Sequence, residues 1–161
     1  MKKIITVLLS AFICALLASC GEKKEYTVAE VNEVLMGIIE SVQNEMASMA
    51  DEELYGTSSN DEDRQEHFNT LYEKLKKKYS TDYDIKNGTL VITGIFVEFY
   101  EHEDTNSIEM REATDEIGYK SIIASTNDSS FESLAEGETI RIAVDYKDGS
   151  LKNATLLDNN N

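Results

Sequence analysis

Three patterns of apolar residues follow one another along this chain. Residues 4–17 are almost continuously apolar, broken only by Thr6 and Ser10, and lie directly after Lys2 and Lys3. From Val28 the spacing becomes helical: Val28, Val31, Val34, Leu35, Ile38, Ile39, Val42, Met46 and Met49 recur at three- and four-residue steps. Such a stripe predicts an amphipathic helix packed on a core. Thr27 with Glu30 has capping-box spacing, which starts the helix at Thr27. Gly37 inside it costs about 1 kcal/mol of helix propensity and suits a close approach by a neighbour. The cluster Gly56-Thr57-Ser58-Ser59-Asn60 predicts a loop over 50–60. A second helix is predicted over 61–79, with Phe68, Leu71, Tyr72, Leu75 and Tyr79 as its buried stripe. Asp61, Glu62 and Asp63 at its start and Lys74, Lys76, Lys77 and Lys78 at its end complement the helix dipole, so the lysines need no ligand.

After Asp82 the chain turns to β-branched and aromatic residues. Asn87-Gly88 marks a turn, and 89–100 predicts a long strand with Gly94 as a bulge or bend. Shorter strands are predicted over 107–111, 119–125, 138–146 and 153–157, the last two joined through Asp148-Gly149 as a hairpin. Between the third and fourth, Phe131 and Leu134 would pack one short helical turn into the core. Five strands with a helical element at that place have the strand order of an OB-fold. A long, glycine-bent first strand lets such a barrel share it between two sheets. Leu90-Val91-Ile92-Thr93-Gly94, Leu134-Ala135-Glu136-Gly137-Glu138-Thr139-Ile140 and Ala154-Thr155-Leu156-Leu157 make the segment 88–158 similar to the tRNA_anti-like OB-fold domains of bacterial lipoproteins and secreted proteins. The expected fold is therefore α+β: two N-terminal helices over 27–80, then a five-stranded OB-like β-barrel over 81–161. An OB-fold usually binds on its second and third strands, and that analogy alone makes Glu109, Arg111, Tyr119 and Lys120 candidate ligand-binding residues.

The N-terminal run has the charged start, apolar core and small-residue end of a secretory signal. It is short for a membrane span, which needs roughly 20 apolar residues. Leu17-Ala18-Ser19-Cys20 resembles the lipobox of bacterial lipoproteins at each of its four positions. The resemblance implies cleavage of residues 1–19 and an acylated Cys20. It further implies a lipid-anchored place in the cell envelope, on the outer membrane in a Gram-negative host because Gly21 follows the cysteine. Residues 20–26 would be a tether, its six residues after Cys20 reaching about 20 Å at full extension.

Charge then narrows the function. The 161 residues carry a formal charge of -16, and losing Lys2 and Lys3 takes it to -18. Cys14 would leave with the signal, so the mature chain has no second cysteine to form a disulfide with Cys20. From Thr89 onward fifteen acidic residues face five basic ones, a net of -10. That balance opposes phosphate-backbone binding, which relies on lysine and arginine displacing counterions. It suits a solvated acidic surface first, and otherwise repulsion from acidic surfaces or a cationic partner. His67 and His102 are the two histidines, and no nucleophile elbow, P-loop or zinc-type pairing surrounds them. Glu98, Glu101, Glu103 and Asp104 crowd His102, but without the glycine and spacing of an EF-hand they are expected to form a solvated loop. No catalytic residue, metal or cofactor is expected. The expectation is a non-enzymatic, envelope-anchored binding or scaffold protein, with a membrane contact through Cys20 and a protein or small-molecule partner. The alternative is an OB-fold binder of single-stranded nucleic acid or oligosaccharide.

Overall fold

The computed structural model describes residues 25–112 and 120–157. It is an α+β fold with three helices and a six-stranded mixed sheet. The signal segment, Cys20 and Tyr119 lie outside the described residues.

Strand β1 (Glu25–Thr27) leads directly into helix α1 (Val28–Met46). Glu25 and Tyr26, expected in the tether, belong instead to a strand, because Glu25, Tyr26 and Thr27 pair parallel to Val91, Ile92 and Thr93. Glu25 fixes that strand by accepting from Thr93 Oγ1 at 2.6 Å and Arg141 Nε at 2.8 Å. These bonds, Thr93 before Arg141, hold its carboxyl below the usual range. The Thr27–Glu30 capping box forms with both of its bonds, at 3.2 and 2.9 Å. Glu112, from the sheet, accepts from the Ala29 backbone N–H at 2.7 Å, a carboxylate placed on the positive end of α1.

Two helices follow, not one. Within the stretch expected to be a loop, Asp51–Tyr55 forms the short helix α2, and α3 spans Asp61–Ser80. A five-residue helix has little stability of its own. Three acidic residues in its first turn suit its dipole, Leu54 packs on the α1–α3 cluster, and Tyr55 stacks on Phe68 with centroids 5.7 Å apart. Helices α1 and α3 bury Ile38, Val42, Met46 and Leu75 between them. The Tyr83 ring lies directly over Gly37, the close neighbour that this glycine admits.

The remaining strands are β2 (Gly88–Tyr100), β3 (Asn106–Glu112), β4 (Lys120–Thr126), β5 (Thr139–Lys147) and β6 (Ser150–Leu157), with a 3-10 helix at Ser129–Ser133. Pairing runs β2–β3–β4–β6–β5 and returns to β2, so five strands form a ring. Strand β1 is the sixth, lying beside Val91, Ile92 and Thr93 on the same edge of β2 as β3, ahead of the residues that β3 pairs and opposite β5. Ile92, Phe96, Ile108, Met110, Ile122, Ile142 and Val144 point into the ring, joined by Val28 and Val31 from α1.

Gly94 is not the expected bulge. Its pairing with Ile140 is regular, and the irregularity in β2 falls between Phe96 and Glu98. Gly94 instead leaves room for Val28, whose side chain fills the space a Cβ would need. The Asp148-Gly149 turn does form, with both residues at positive φ (49° and 77°), the signature of a type I′ hairpin. Strand β6 begins earlier than expected because Asn153, at φ 54°, interrupts its alternation.

The ring closes at a narrow point. Strands β4 and β6 share the single register pair Thr126 and Ala154. Thr126 is 1 % exposed; its hydroxyl donates to Ala154 O at 2.6 Å and accepts from the Asp128 N–H at 2.9 Å. Valine has the same shape and neither bond. Thr126→Val is therefore expected to cost about 2 kcal/mol, and Thr126→Ser far less. Urea midpoints of the two variants test this; a valine variant as stable as the serine one would show that the hydroxyl does not hold the closure.

Candidate functional site

The bulge in β2 lies in the wall of an open cleft. Phe96 pairs with Met110 and Glu98 with Glu109, so Val97 is the extra residue. An inserted residue re-phases the side chains beyond it. Phe96 and Phe99, three positions apart, consequently both pack on the core. On the other edge of β2 the ladder to β5 ends at Phe96, whose N–H donates to Glu138 O (2.8 Å) and whose carbonyl accepts from the Gly137 N–H (2.9 Å). Gly137, at φ 91°, turns the incoming chain there.

The opposite wall comes from the 3-10 helix and the loop after it. Asp128 caps that helix by accepting from the Ser130 N–H at 2.9 Å, and its second oxygen accepts from the Leu156 N–H at 3.0 Å. Hydrogen bonds from the Ser130 hydroxyl, the Leu156 N–H and the Ser130 N–H, in that order, lower its pKa. The helix is thereby pinned to β6. Phe131, 1 % exposed, is driven into the core, and Leu134 packs beside it. Glu138 accepts from the Ala135 N–H at 3.0 Å and keeps the loop tight.

Between these walls lies an open cleft of about 490 Å³. Its apolar lining is Phe96, Val97, Phe99, Phe131 and Leu134, and its polar lining is Glu98, Glu101, Glu132 and Glu136. The one ion pair these four carboxylates make among the described residues is Glu136 with Arg111, at 3.7 Å. An apolar floor under several carboxylates attracts a cation that also carries apolar surface.

The residues singled out from fold analogy are divided. Glu109 and Arg111 lie on β3 beside the cleft, Glu109 paired in register with Glu98 and Arg111 ion-paired to Glu136. Glu109 accepts from the Tyr100 hydroxyl at 2.8 Å. That bond first, then burial and the charges of Glu109 and Glu98, push the Tyr100 pKa up to about 12. Lys120 is at the far end of β4, exposed and opposite Glu112 in register. Ile123, 59 % exposed, faces outward opposite Glu109.

Other candidate chemistry disperses. Among the described residues no three of His, Cys, Asp and Glu converge as metal ligands. His67 Nε2 lies 3.0 Å from Glu53 O on the helical side, and His102 stacks on Tyr100 near the β2–β3 loop. In the lysine cluster, Lys78 reaches Glu45 at 2.6 Å and Lys76 reaches Ser150 Oγ at 2.8 Å, so these two charges tie elements together. The chain matches no protein-family model and no curated protein.

Proposed function

We propose that this chain is a lipid-anchored cell-envelope protein that holds a cationic partner in its acidic cleft, without catalysing a reaction. In this reading the strand ring is an OB-like barrel of the tRNA_anti-like kind, with α1 packed against it. The lipobox resemblance supports the anchor. The observation that carries the binding role is the cleft itself: three phenylalanines and a leucine framed by four glutamates, one of them ion-paired. Charged walls beside low-dielectric side chains focus the field on an incoming cation. The same charges repel a phosphate backbone, which weakens the nucleic-acid alternative.

The experiment is a titration of the full-length protein in detergent with N-benzylspermine, a polyamine bearing one aromatic group. Binding is expected, weakening as salt rises. Combined Glu101→Lys and Glu132→Lys should reduce affinity roughly tenfold or more, since two attractive charges become repulsive. Equal binding by wild type and the double variant would overturn the reading. So would retention of oligothymidylate or an oligosaccharide series in place of the polyamine, which would favour the alternative.

A further inference from the structure

We infer that the cleft takes a basic peptide in extended form, added as a strand along residues 97–100 of β2 and reaching Glu101; this deepens the cationic-partner reading and rests on it. The first ground is the state of the strand edge. Beyond the bulged Val97, residues 98–100 pair with β3 on one side, while on the other the ladder to β5 stops at Phe96 and Gly137. Among the described residues no strand continues it. A strand edge offers unpaired main-chain groups that another chain can complete, and several recognition modules bind peptides this way.

The second ground is that the free edge and the cleft are the same place. Val97, Glu98, Phe99 and Glu101 form one wall of the cleft, and Phe131, Glu132, Leu134 and Glu136 form the other. A strand laid along β2 would send alternate side chains to opposite faces. Apolar ones could meet Phe99, Phe131 and Leu134, while lysines or arginines could meet the glutamates. Five residues of strand extend about 16 Å, a short peptide's length.

The third ground is charge, which selects the occupant. An open edge invites self-association, and native proteins counter it with charged residues. Here a second copy of this chain would bring its own Glu98 and Glu101 against the same carboxylates and add to a charge of -16 on each molecule. A basic segment meets no such barrier. The glutamates thus close the edge to like chains and leave it open to cationic ones, a selection by repulsion as much as by attraction.

The test uses full-length protein and a heptapeptide of alternating lysine and valine with blocked ends. Two N-methylated isomers carry methyl groups on one or the other set of alternate amides. N-methylation removes donors from one edge of a strand and leaves the charge unchanged. The parent peptide should bind, one isomer should lose roughly tenfold or more, and the other should stay close to the parent. Amide hydrogen exchange at 97–101 should slow on binding. If both isomers bind like the parent and exchange is unchanged, strand addition is wrong while the cationic cleft stands. Failure of the parent peptide, with N-benzylspermine still bound, also overturns strand addition alone. Failure of both probes overturns the cleft reading itself.

Discussion

Gly94→Ala is expected to destabilise the protein by about 2–3 kcal/mol, even though alanine suits a strand better than glycine in general. For a folded part of this size that corresponds to a drop in Tm of roughly 7–10 °C. The cause is local. A Cβ at residue 94 would overlap the Val28 side chain and come within 3.2 Å of Met110 Cε and 3.3 Å of the Arg111 carbonyl oxygen. Val28 is fully buried at the start of α1, and the helix start cannot recoil easily. The Thr27–Glu30 box, the Glu112 carboxylate and the β1–β2 pairing all hold it. Val28→Ala removes the overlapping methyl groups at its own cost in burial. The double variant should therefore be less destabilised than the sum of the two single ones. Additive losses, or a gain in stability from Gly94→Ala alone, would show that the packing of α1 on β2 yields freely.

Loss of the Cys20 thiol is expected to have the largest effect on location. Each buried methylene of an acyl chain contributes about 0.8 kcal/mol, so two or three chains anchor firmly and none leaves little. Among the described residues no helix is long and apolar enough to cross a membrane. On the lipid-anchor reading, Cys20→Ala, secreted behind an ordinary cleavable signal, should move to the soluble fraction and take up no labelled fatty acid, while the native chain should stay with the membrane and be labelled. Membrane retention of the unlabelled variant would mean that something other than an acyl chain attaches the protein.

Local chemistry was legible in the sequence wherever neighbouring residues decide the outcome. The Thr27–Glu30 cap, the span of α3, the Asp148-Gly149 turn and the cores of the five ring strands all follow from spacing and turn residues within a few positions. What the sequence hid depends on partners far along the chain. Nothing in Glu25-Tyr26-Thr27 announces a strand, because its stability comes from Thr93 and Arg141. Helix α2 needed Phe68, and the role of Gly94 needed Val28. Asn153 broke the alternation that would have placed the start of β6.

The cleft was hidden for a further reason. Its glutamates have the ordinary look of a solvated acidic face, and Phe96, Phe99 and Phe131 have that of core residues. Only the bulge at Val97 and the turn at Gly137 bring the two sets to one surface. Glu109 and Arg111, selected by analogy to another face of the fold, adjoin it through Glu98 and Glu136.

The parallel pairing of β1 with β2 also sets an orientation. The chain comes from its N-terminus to Glu25, beside Val91, and runs in the same direction as β2. The cleft begins five residues further along that strand, at Phe96, and extends to Glu101. A tether at Cys20 would therefore enter near one end of β2, with the mouth of the cleft roughly 15–30 Å away along the strand. A domain attached there would carry the mouth of the cleft at that distance from its anchor, within reach of whatever diffuses past.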